Sequence, residues 1–448
     1  MKRRLWATAC LLTTSLMGTS LFFTVQAQDT QPTEDPVVAE AVATLIAQTQ
    51  QAQTQISMTQ TIQAALESAL TATAQAPTAA PGATTVVPTI DVEALEVANV
   101  TELELRAGPG NTGAFLAPDG EKFVHAAGNE LCLYEGTQEV RCVDLEAQEM
   151  RALDSESFRW SPDSRYVVFH EDFFRRFNDP DIWVWDTTTE TLSNLTEDNT
   201  DRISISAEVW DNVDVAPTWT AEGNLIFARY RRDANVEEVI PPDIYQIAPD
   251  GSNLTLLGSF EGEDRFSVYS TGMRGSQLLY VYYGPSNAPN NGVWLSNTDG
   301  SEAERVAQLD EDARSFIIGV TPSPDGRYLL ILTPNITFVS GESPEGSVMR
   351  LVEVESGRVM LIDPTHYVSA AGWSPSGSAL VYSVFDLENE ENNGLYVTET
   401  PGKAGRMLLE GAYFSPTPGQ THALIWGANN TLLAAARNFN VTLIELEG

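Results

Sequence analysis

The sequence predicts an all-β fold, a β-propeller built from four-stranded antiparallel blades. Three observations support this prediction: a strand-turn-strand motif recurs seven times, its copies lie about 50 residues apart, and each copy is followed by two further short apolar segments. A repeat of this length is typical of solenoids and propellers. Four short strands cannot bury both faces of their sheet alone, so neighbouring sheets must pack against each other.

Each copy of the motif places an aromatic or apolar residue before a turn and alternating apolar residues after it. Residues 158–170, FRWSPDSRYVVFH, show the pattern, with Trp160 before the turn. Proline suits the second position of such a turn because its φ is preset, and Asp and Gly or Ser close it. The copies begin at Phe115, Trp160, Trp219, Tyr269, Pro322, Trp373 and Phe414. Because the copy at Tyr269 is degenerate, seven blades are counted and six remain the alternative.

The rest of each copy supplies the two outer strands. Predicted third strands begin at Asp181, Asp243, Gly292, Val348 and Gly394, and predicted fourth strands include Leu192 to Thr196 and Val359 to Ile362. The Ser-Pro-Asp turn therefore joins the two inner strands of a blade. We expect Trp160, Trp219 and Trp373 to pack between neighbouring blades.

The Trp-Ser-Pro-Asp turn, followed by Asp-Ile-Trp at Asp181 or Asp-Ile-Tyr at Asp243, resembles the repeats of TolB-type propellers, which are also described as WD40-like or PD40 repeats. The resemblance covers roughly residues 107 to 448. It implies an extracytoplasmic protein that binds partners, as TolB does within a cell-envelope complex. The chain departs from that family in having seven counted modules rather than six and no visible amino-terminal α/β domain, so TolB's own partners are not transferred.

The amino-terminal region predicts export. Residues 1–27 combine three early basic residues, an apolar stretch and a small-residue pattern at Val25-Gln26-Ala27, which indicates a signal peptide with Gln28 as the mature start. The apolar stretch approaches the length of a membrane span, so an uncleaved anchor is the alternative. Residues 28–98 are rich in Ala, Gln, Thr and Pro and predict a disordered or partly helical low-complexity spacer. The propeller is assigned to residues 99–448.

The charge balance limits the classes of partner. The 448 residues contain 62 Asp and Glu against 25 Lys and Arg, a net charge of −37. Binding nucleic acid needs cationic side chains that replace condensed counterions, so this class is disfavoured. Repulsion between like-charged molecules also favours a monomer. We expect a secreted or periplasmic protein that contacts a membrane only through its amino-terminal segment, if that segment is retained.

Cys132 and Cys142 are the two cysteines that follow the signal segment. If Gly136 to Gln138 form a three-residue hairpin loop, these cysteines face each other directly across two strands. Facing positions are close enough for a disulfide, and disulfides persist in oxidising compartments. The alternative is two buried thiols.

The sequence contains little that indicates catalysis. The four histidines, His125, His170, His366 and His422, are far apart and lack zinc-site spacing. There is no Gly-x-Ser-x-Gly nucleophile motif, no Gly-rich phosphate loop and no indication of a cofactor. A weak calcium candidate is the acidic segment with Asp386, Glu388 and Glu390, which departs from the EF-hand spacing.

Two connections between second and third strands carry the clearest indication of binding. They contain Phe173, Phe174, Arg175, Arg176 and Phe177 in the second blade, and Arg229, Tyr230, Arg231 and Arg232 in the third. Equivalent connections emerge on one face, and Arg and aromatic residues are enriched at binding hot spots. The alternative is that the arginines neutralise nearby acidic residues, namely Glu171, Asp172, Asp179, Asp181, Glu237 and Glu238.

Two functions follow as hypotheses. The first is a non-enzymatic propeller that binds a protein or glycan partner at the cell envelope. The second is an enzyme, such as a polysaccharide lyase or hydrolase, with its site in the propeller channel. An enzyme should gather at least two titratable groups with perturbed pKa values at the mouth of the channel.

Overall fold

The structure is a computed structural model. It describes residues 90–105, 113–127, 130–145, 150, 153, 157–171, 180–198, 209–233, 241–260, 267–283, 291–308, 319–332, 349–384, 386, 389–399, 401–411, 424–435 and 440–448. The predicted signal segment and most of the predicted spacer lie outside these residues.

The described residues form seven antiparallel four-stranded sheets, which confirms the count of seven blades. Blade 1 contains β2 (Gly113–Leu116), β3 (Lys122–Ala127), β4 (Glu130–Glu135) and β5 (Gln138–Asp144). Blade 2 contains β6 (Arg159–Trp160), β7 (Tyr166–His170), β8 (Ile182–Asp186) and β9 (Thr191–Asn194). Blade 3 contains β10 (Val209–Trp219), β11 (Leu225–Asp233), β12 (Asp243–Ile247) and β13 (Thr255–Ser259). Blade 4 contains β14 (Ser267–Arg274), β15 (Gln277–Tyr283), β16 (Gly292–Ser296) and β17 (Glu304–Gln308). Blade 5 contains β18 (Gly319–Pro322), β19 (Tyr328–Leu332), β20 (Met349–Glu353) and β21 (Arg358–Leu361). Blade 6 contains β22 (Val368–Trp373), β23 (Leu380–Val384), β24 (Gly394–Thr398) and β25 (Arg406–Glu410).

Blade 7 joins the two ends of the propeller. It contains β26 (Leu424–Trp426), β27 (Thr431–Ala435), β28 (Asn440–Glu447) and, as its outermost strand, β1 (Glu96–Glu104) from the start of the described chain. The segment before β1 is also packed, since Val92 and Leu95 are buried between blades 6 and 7. The packed region therefore begins before residue 99, where the sequence placed the boundary.

The seventh copy of the motif was placed wrongly. The inner turn of blade 7 is Gly427–Asn430, which follows Trp426, rather than the Ser-Pro segment after Phe414. Trp426 pairs with Leu432 as Trp373 pairs with Leu380, so Trp426 occupies the position of the motif tryptophan. The sequence Trp-Gly-Ala-Asn-Asn lacks the proline and aspartate that mark the turn after Trp160, and Phe414 lies outside the described residues.

The core of the propeller is divided among its blade junctions. Seven clusters of buried apolar side chains lie one at each junction. The predicted interblade role of the motif tryptophans is confirmed: the Trp160 indole donates to the Phe115 carbonyl at 2.8 Å, and the Trp219 indole donates to the Arg159 carbonyl at 3.0 Å. Trp373 stacks on Tyr328 of the preceding blade.

Helix is nearly absent from the described part of the chain, where it is limited to a 3-10 turn at Glu390–Asn392. Among these residues no helix has the length and apolar character needed to cross a membrane.

Cys132 and Cys142 are joined in a disulfide between β4 and β5. They face each other as expected, but the hairpin differs from the one assumed. The turn contains two residues, Gly136 and Thr137, and a bulge between Leu133 and Tyr134 shifts the register by one residue. Without that bulge the cysteines would not be opposite each other.

Candidate binding face and the junction of blades 2 and 3

The two ends of the blades differ in the length of their connections. At one end, the first strand joins the second and the third joins the fourth through at most seven residues. Backbone hydrogen bonds between these turns, such as Thr187 to the Arg165 carbonyl at 3.0 Å, place both kinds of turn on the same face. We call this the short-turn face.

At the opposite end, the connections range from two to sixteen residues, and most of them are longer than any turn of the short-turn face. Sixteen residues separate Leu332 from Met349, fourteen separate Asn194 from Val209, and thirteen separate Glu410 from Leu424. We call this the long-connection face. Both connections that carry the predicted binding residues belong to it, because they join second to third strands.

The predicted binding residues are placed unequally. Phe173, Phe174, Arg175, Arg176 and Phe177 lie outside the described residues, as does the side chain of Arg232. Their connection begins after Glu171 and returns at Pro180, so its two ends are described. Arg229, Tyr230 and Arg231 are described in β11, and the structure separates them.

Arg229 is an interior residue, which corrects the expectation that it is available to a partner. Its side chain is 10% exposed and donates through two nitrogens to Asp214, with both distances 2.6 Å. The guanidinium also lies 4.7 Å from the centre of the Tyr245 ring. Asp214 is directly opposite Arg229 across β10 and β11, so the pair spans the two inner strands of blade 3.

Tyr230 and Arg231 point in different directions. The Tyr230 hydroxyl accepts a hydrogen bond from the Val268 amide of blade 4, and its ring packs against the cluster between blades 3 and 4. Arg231 forms an ion pair with Asp243 and keeps 47% of its side chain exposed. The other carboxylate oxygen of Asp243 accepts the Ser259 hydroxyl at 2.7 Å. Of the three described residues, Arg231 is the one accessible to a partner.

The partners of the arginines agree with the neutralisation alternative, although they are different residues from those expected. Asp214 and Asp243 are not among the acidic partners that the sequence predicts for these arginines. For Asp243 the sequence predicts only that a third strand begins there. Asp214 lies between two bulges of β10, at Trp210/Val213 and Val215/Thr218. Asn212 and Ala216 have φ values of 61° and 55° there. These bulges orient Asp214 towards Arg229, and the sequence shows only alternating polar and apolar residues at that place.

Three carboxyl groups lie beneath this part of the face, of which Glu171 and Asp214 are buried and Asp181 is half-buried. Glu171 is 9% exposed, and burial raises its pKa to about 7. Burial likewise raises the pKa of Asp214 to about 7, although Arg229 acts in the opposite direction. Burial also raises the pKa of Asp181, whose carboxylate accepts the Asn194 amide at 2.7 Å. At the junction of blades 2 and 3, burial therefore opposes the ionisation of Glu171, Asp181 and Asp214, whereas the two bonds from Arg229 favour the charged form of Asp214.

The calcium candidate is only partly described. Asp386 accepts hydrogen bonds from the Asn389 amide at 2.9 Å and the Asn392 side chain at 2.8 Å, Glu390 is exposed on the 3-10 turn, and Glu388 lies outside the described residues. Asp386 thus organises its own turn. Among the described residues, one group of three potential metal ligands lies close together, Cys132, Glu139 and Cys142, and its two cysteines are joined in the disulfide.

The described histidines do not meet. His125 is buried with Nδ1 3.2 Å from the Gly113 carbonyl, and His170 is buried with Nδ1 2.7 Å from the Glu171 carbonyl. His366 lies beside Asp363 at the junction of blades 5 and 6, with Nδ1 2.8 Å from the carboxylate. His422 lies outside the described residues.

Comparison with solved structures agrees with this architecture. A protein chain of a mitotic checkpoint complex matches with a TM-score of 0.50 at 12% identity, over 78% of this chain and 91% of that one. The chain is a seven-bladed β-propeller. Lower-scoring matches are an oligogalacturonate lyase in complex with manganese (TM-score 0.48, 17% identity, over 78% of this chain and 91% of that one) and TolB from Acinetobacter baumannii (TM-score 0.38, 12% identity, over 80% and 66%).

The seven four-stranded sheets confirm the propeller fold that the resemblance implied. No family model and no curated protein matches the sequence. At these identities the shared feature is the propeller itself.

Proposed function

We propose that this propeller is a non-enzymatic, extracytoplasmic protein that binds a protein partner at the cell envelope through its long-connection face. The observation that carries the proposal is the difference between the two faces. Recognition in scaffold proteins is concentrated in long connections held by rigid strands, whereas short turns bonded to each other mainly close the sheets.

Arg231 supports the position of the partner. It is half-exposed at the end of β11, on a protein whose net charge is −37. Arg175 and Arg176 belong to the neighbouring connection on the same face. A cationic region on a strongly acidic protein favours an anionic surface of the partner.

The extracytoplasmic location rests on the signal-like residues 1–27 and on the disulfide between Cys132 and Cys142. Disulfides persist in secreted and periplasmic proteins and are rare in reducing compartments.

The experiment is crosslinking of the full chain in its native envelope, followed by mass spectrometry. The test variant replaces Arg175, Arg176, Arg231 and Arg232 with alanine. A matched control replaces Arg305, Arg327, Arg358 and Lys403, which removes the same charge from positions in or beside the short turns. We expect the wild type and the control to capture one protein that the test variant loses. Equal capture by all three chains would contradict the proposal, and capture of glycan alone would transfer it to a saccharide ligand.

A lyase is the second candidate function. The observation that favours it is the presence of two carboxyl groups, Glu171 and Asp214, whose pKa is raised to about 7 at one blade junction. Against it, Asp214 is fully buried and bonded to Arg229, so it faces the interior. Incubation with oligogalacturonate, with and without Mn²⁺, tests this function through the ultraviolet absorbance of an unsaturated product. Product formation that Glu171→Gln abolishes would support the lyase.

A further inference from the structure

The disulfide of blade 1 lies in a row of three side chains across three neighbouring strands. His125 of β3 is directly opposite Cys132 of β4, and Cys132 is directly opposite Cys142 of β5. Side chains at directly opposite positions of neighbouring antiparallel strands project from the same side of the sheet. The three side chains therefore lie side by side, in the order His125, Cys132, Cys142, from within the blade towards its outer edge.

The two ends of this row differ in burial. His125 is 2% exposed and Cys132 is 1% exposed, whereas Cys142 is half-buried. Strand β5 is the last strand of its sheet, and five of its seven residues are exposed. The outer sulfur of the disulfide therefore lies at an open edge of blade 1, and the inner sulfur is enclosed.

The chemistry of disulfide exchange decides which sulfur a thiol can attack. A thiolate approaches one sulfur from the side opposite the S–S bond, and the other sulfur leaves. Because the bond runs from β4 towards β5, attack on Cys142 comes from the free edge of β5. Attack on Cys132 comes from the side of β3, where the buried His125 lies. The fold therefore leaves Cys142 as the sulfur open to attack.

Opening of the disulfide does not require unfolding of the blade. The ladder between β4 and β5 contains six residue pairs, of which one is the cysteine pair, and a two-residue turn joins the strands. The other five pairs hold the strands together when the bridge is broken. Exchange is therefore a reaction of the native propeller.

The two possible products also differ in their fit to the core. Cys132 packs in the cluster between blades 7 and 1, with Leu433 and Leu443 of blade 7. A group attached to Cys132 would displace these side chains, and overpacking of a core is destabilising. A group attached to Cys142 extends from the outermost strand into solvent.

We propose that the Cys132–Cys142 disulfide is a thiol-exchange site of the native propeller, at which small thiols attack Cys142. A bond forms between the sulfur of the thiol and Sγ of Cys142, and the bond between the two cysteines breaks. Cys132 leaves as a thiolate and takes a proton from water. It remains opposite Cys142 and reverses the reaction by expelling the thiol. The inference goes beyond the proposed function and does not depend on a partner protein.

Exchange of the oxidised full chain with mercaptoethanol tests the site. The reaction is run briefly under native conditions and stopped with N-ethylmaleimide, which caps the released thiol. Trypsin cleaves after Arg141 and separates Cys132, in residues 123–141, from Cys142, in residues 142–151. We expect the mercaptoethanol adduct on Cys142 to exceed that on Cys132 by at least about tenfold, with the maleimide on Cys132. Equal or reversed adducts, or exchange that begins only in denaturant, would overturn the proposal.

Two matched variants measure the access to each sulfur separately. Cys132→Ser leaves Cys142 as a thiol, Cys142→Ser leaves Cys132, and both carry Cys10→Ser so that each chain has a single cysteine. We expect a chromogenic aromatic disulfide to label Cys142 at least about tenfold faster than Cys132 in the folded chains, and at similar rates in urea. Similar rates in the folded chains would contradict the inference. If either variant fails to fold, the adduct map of the wild type decides the question.

Discussion

Arg229 and Asp214 face each other across the two inner strands of blade 3 and form two hydrogen bonds of 2.6 Å. This pair places Arg229, which the sequence predicts as a surface residue, in the protein interior. Among the described side chains of the predicted binding group in β11, the exposed one is Arg231.

Loss of one partner from this pair should be strongly destabilising. We expect Asp214→Ala to lower the free energy of unfolding by about 3 to 5 kcal/mol, because it leaves a buried guanidinium unpaired. Urea unfolding followed by tryptophan fluorescence measures the change. As a control, Arg327→Ala breaks an ion pair whose arginine is 69% exposed, and it should cost at most about 1 kcal/mol. Equal losses in the two variants would contradict the structural role of Asp214.

Closure of the ring depends on the segment at the start of β1. Leu95 is fully buried between blades 6 and 7, and Arg406 donates to the carbonyls of Val92 and Leu95. We expect Leu95→Ala to cost about 2 to 5 kcal/mol through the cavity it leaves. Val100 lies in the following strand, β1, but is 41% exposed, so Val100→Ala should change stability by about 0.5 kcal/mol or less. Thermal unfolding distinguishes the two, and a neutral Leu95→Ala would show that this segment does not close the ring.

The disulfide of blade 1 closes a short loop between neighbouring strands. We expect Cys142→Ser to cost about 2 to 3 kcal/mol, because the bridge restricts the unfolded chain. Wild-type protein treated with reductant is the control and should match the variant. A variant as stable as the oxidised wild type would indicate that the bridge contributes nothing to folding.

The overall stability should depend on Glu171 between mildly acidic and mildly basic pH. Its pKa rises from 4.5 to about 7 on folding, so its contribution is complete below pH 4.5 and is lost as pH rises through about 7. We expect Glu171→Gln to raise the free energy of unfolding at about pH 8 by up to about 3 kcal/mol and to change it little at about pH 4. The midpoint temperature of thermal unfolding, measured at both pH values, reports the difference. A variant that is equally destabilised at both pH values would indicate a purely steric role.

The sequence predicted the architecture well because the turn motif repeats with a constant phase. The turn can be predicted from sequence because its own residues stabilise it. The Ser161 hydroxyl donates to the Asp163 carboxylate and accepts a hydrogen bond from the Tyr166 amide. The turn of blade 7 was missed because Gly427–Asn430 reaches a similar shape without proline or aspartate. The pairing of the cysteines was anticipated, but the bulge that aligns them was not.

From sequence alone, the β class, a count of seven blades with six as the alternative, and the interblade position of the tryptophans could be predicted, because each depends on local patterns that recur, and the acidic character follows from composition. The tertiary structure alone decided that β1 completes blade 7, that Arg229 is buried and paired with Asp214, and that Glu171, Asp181 and Asp214 all lie at the junction of blades 2 and 3. These contacts join residues from different strands and blades, and two of them depend on bulges that re-aim a side chain. Their energies come from burial and charge, which only the folded chain defines.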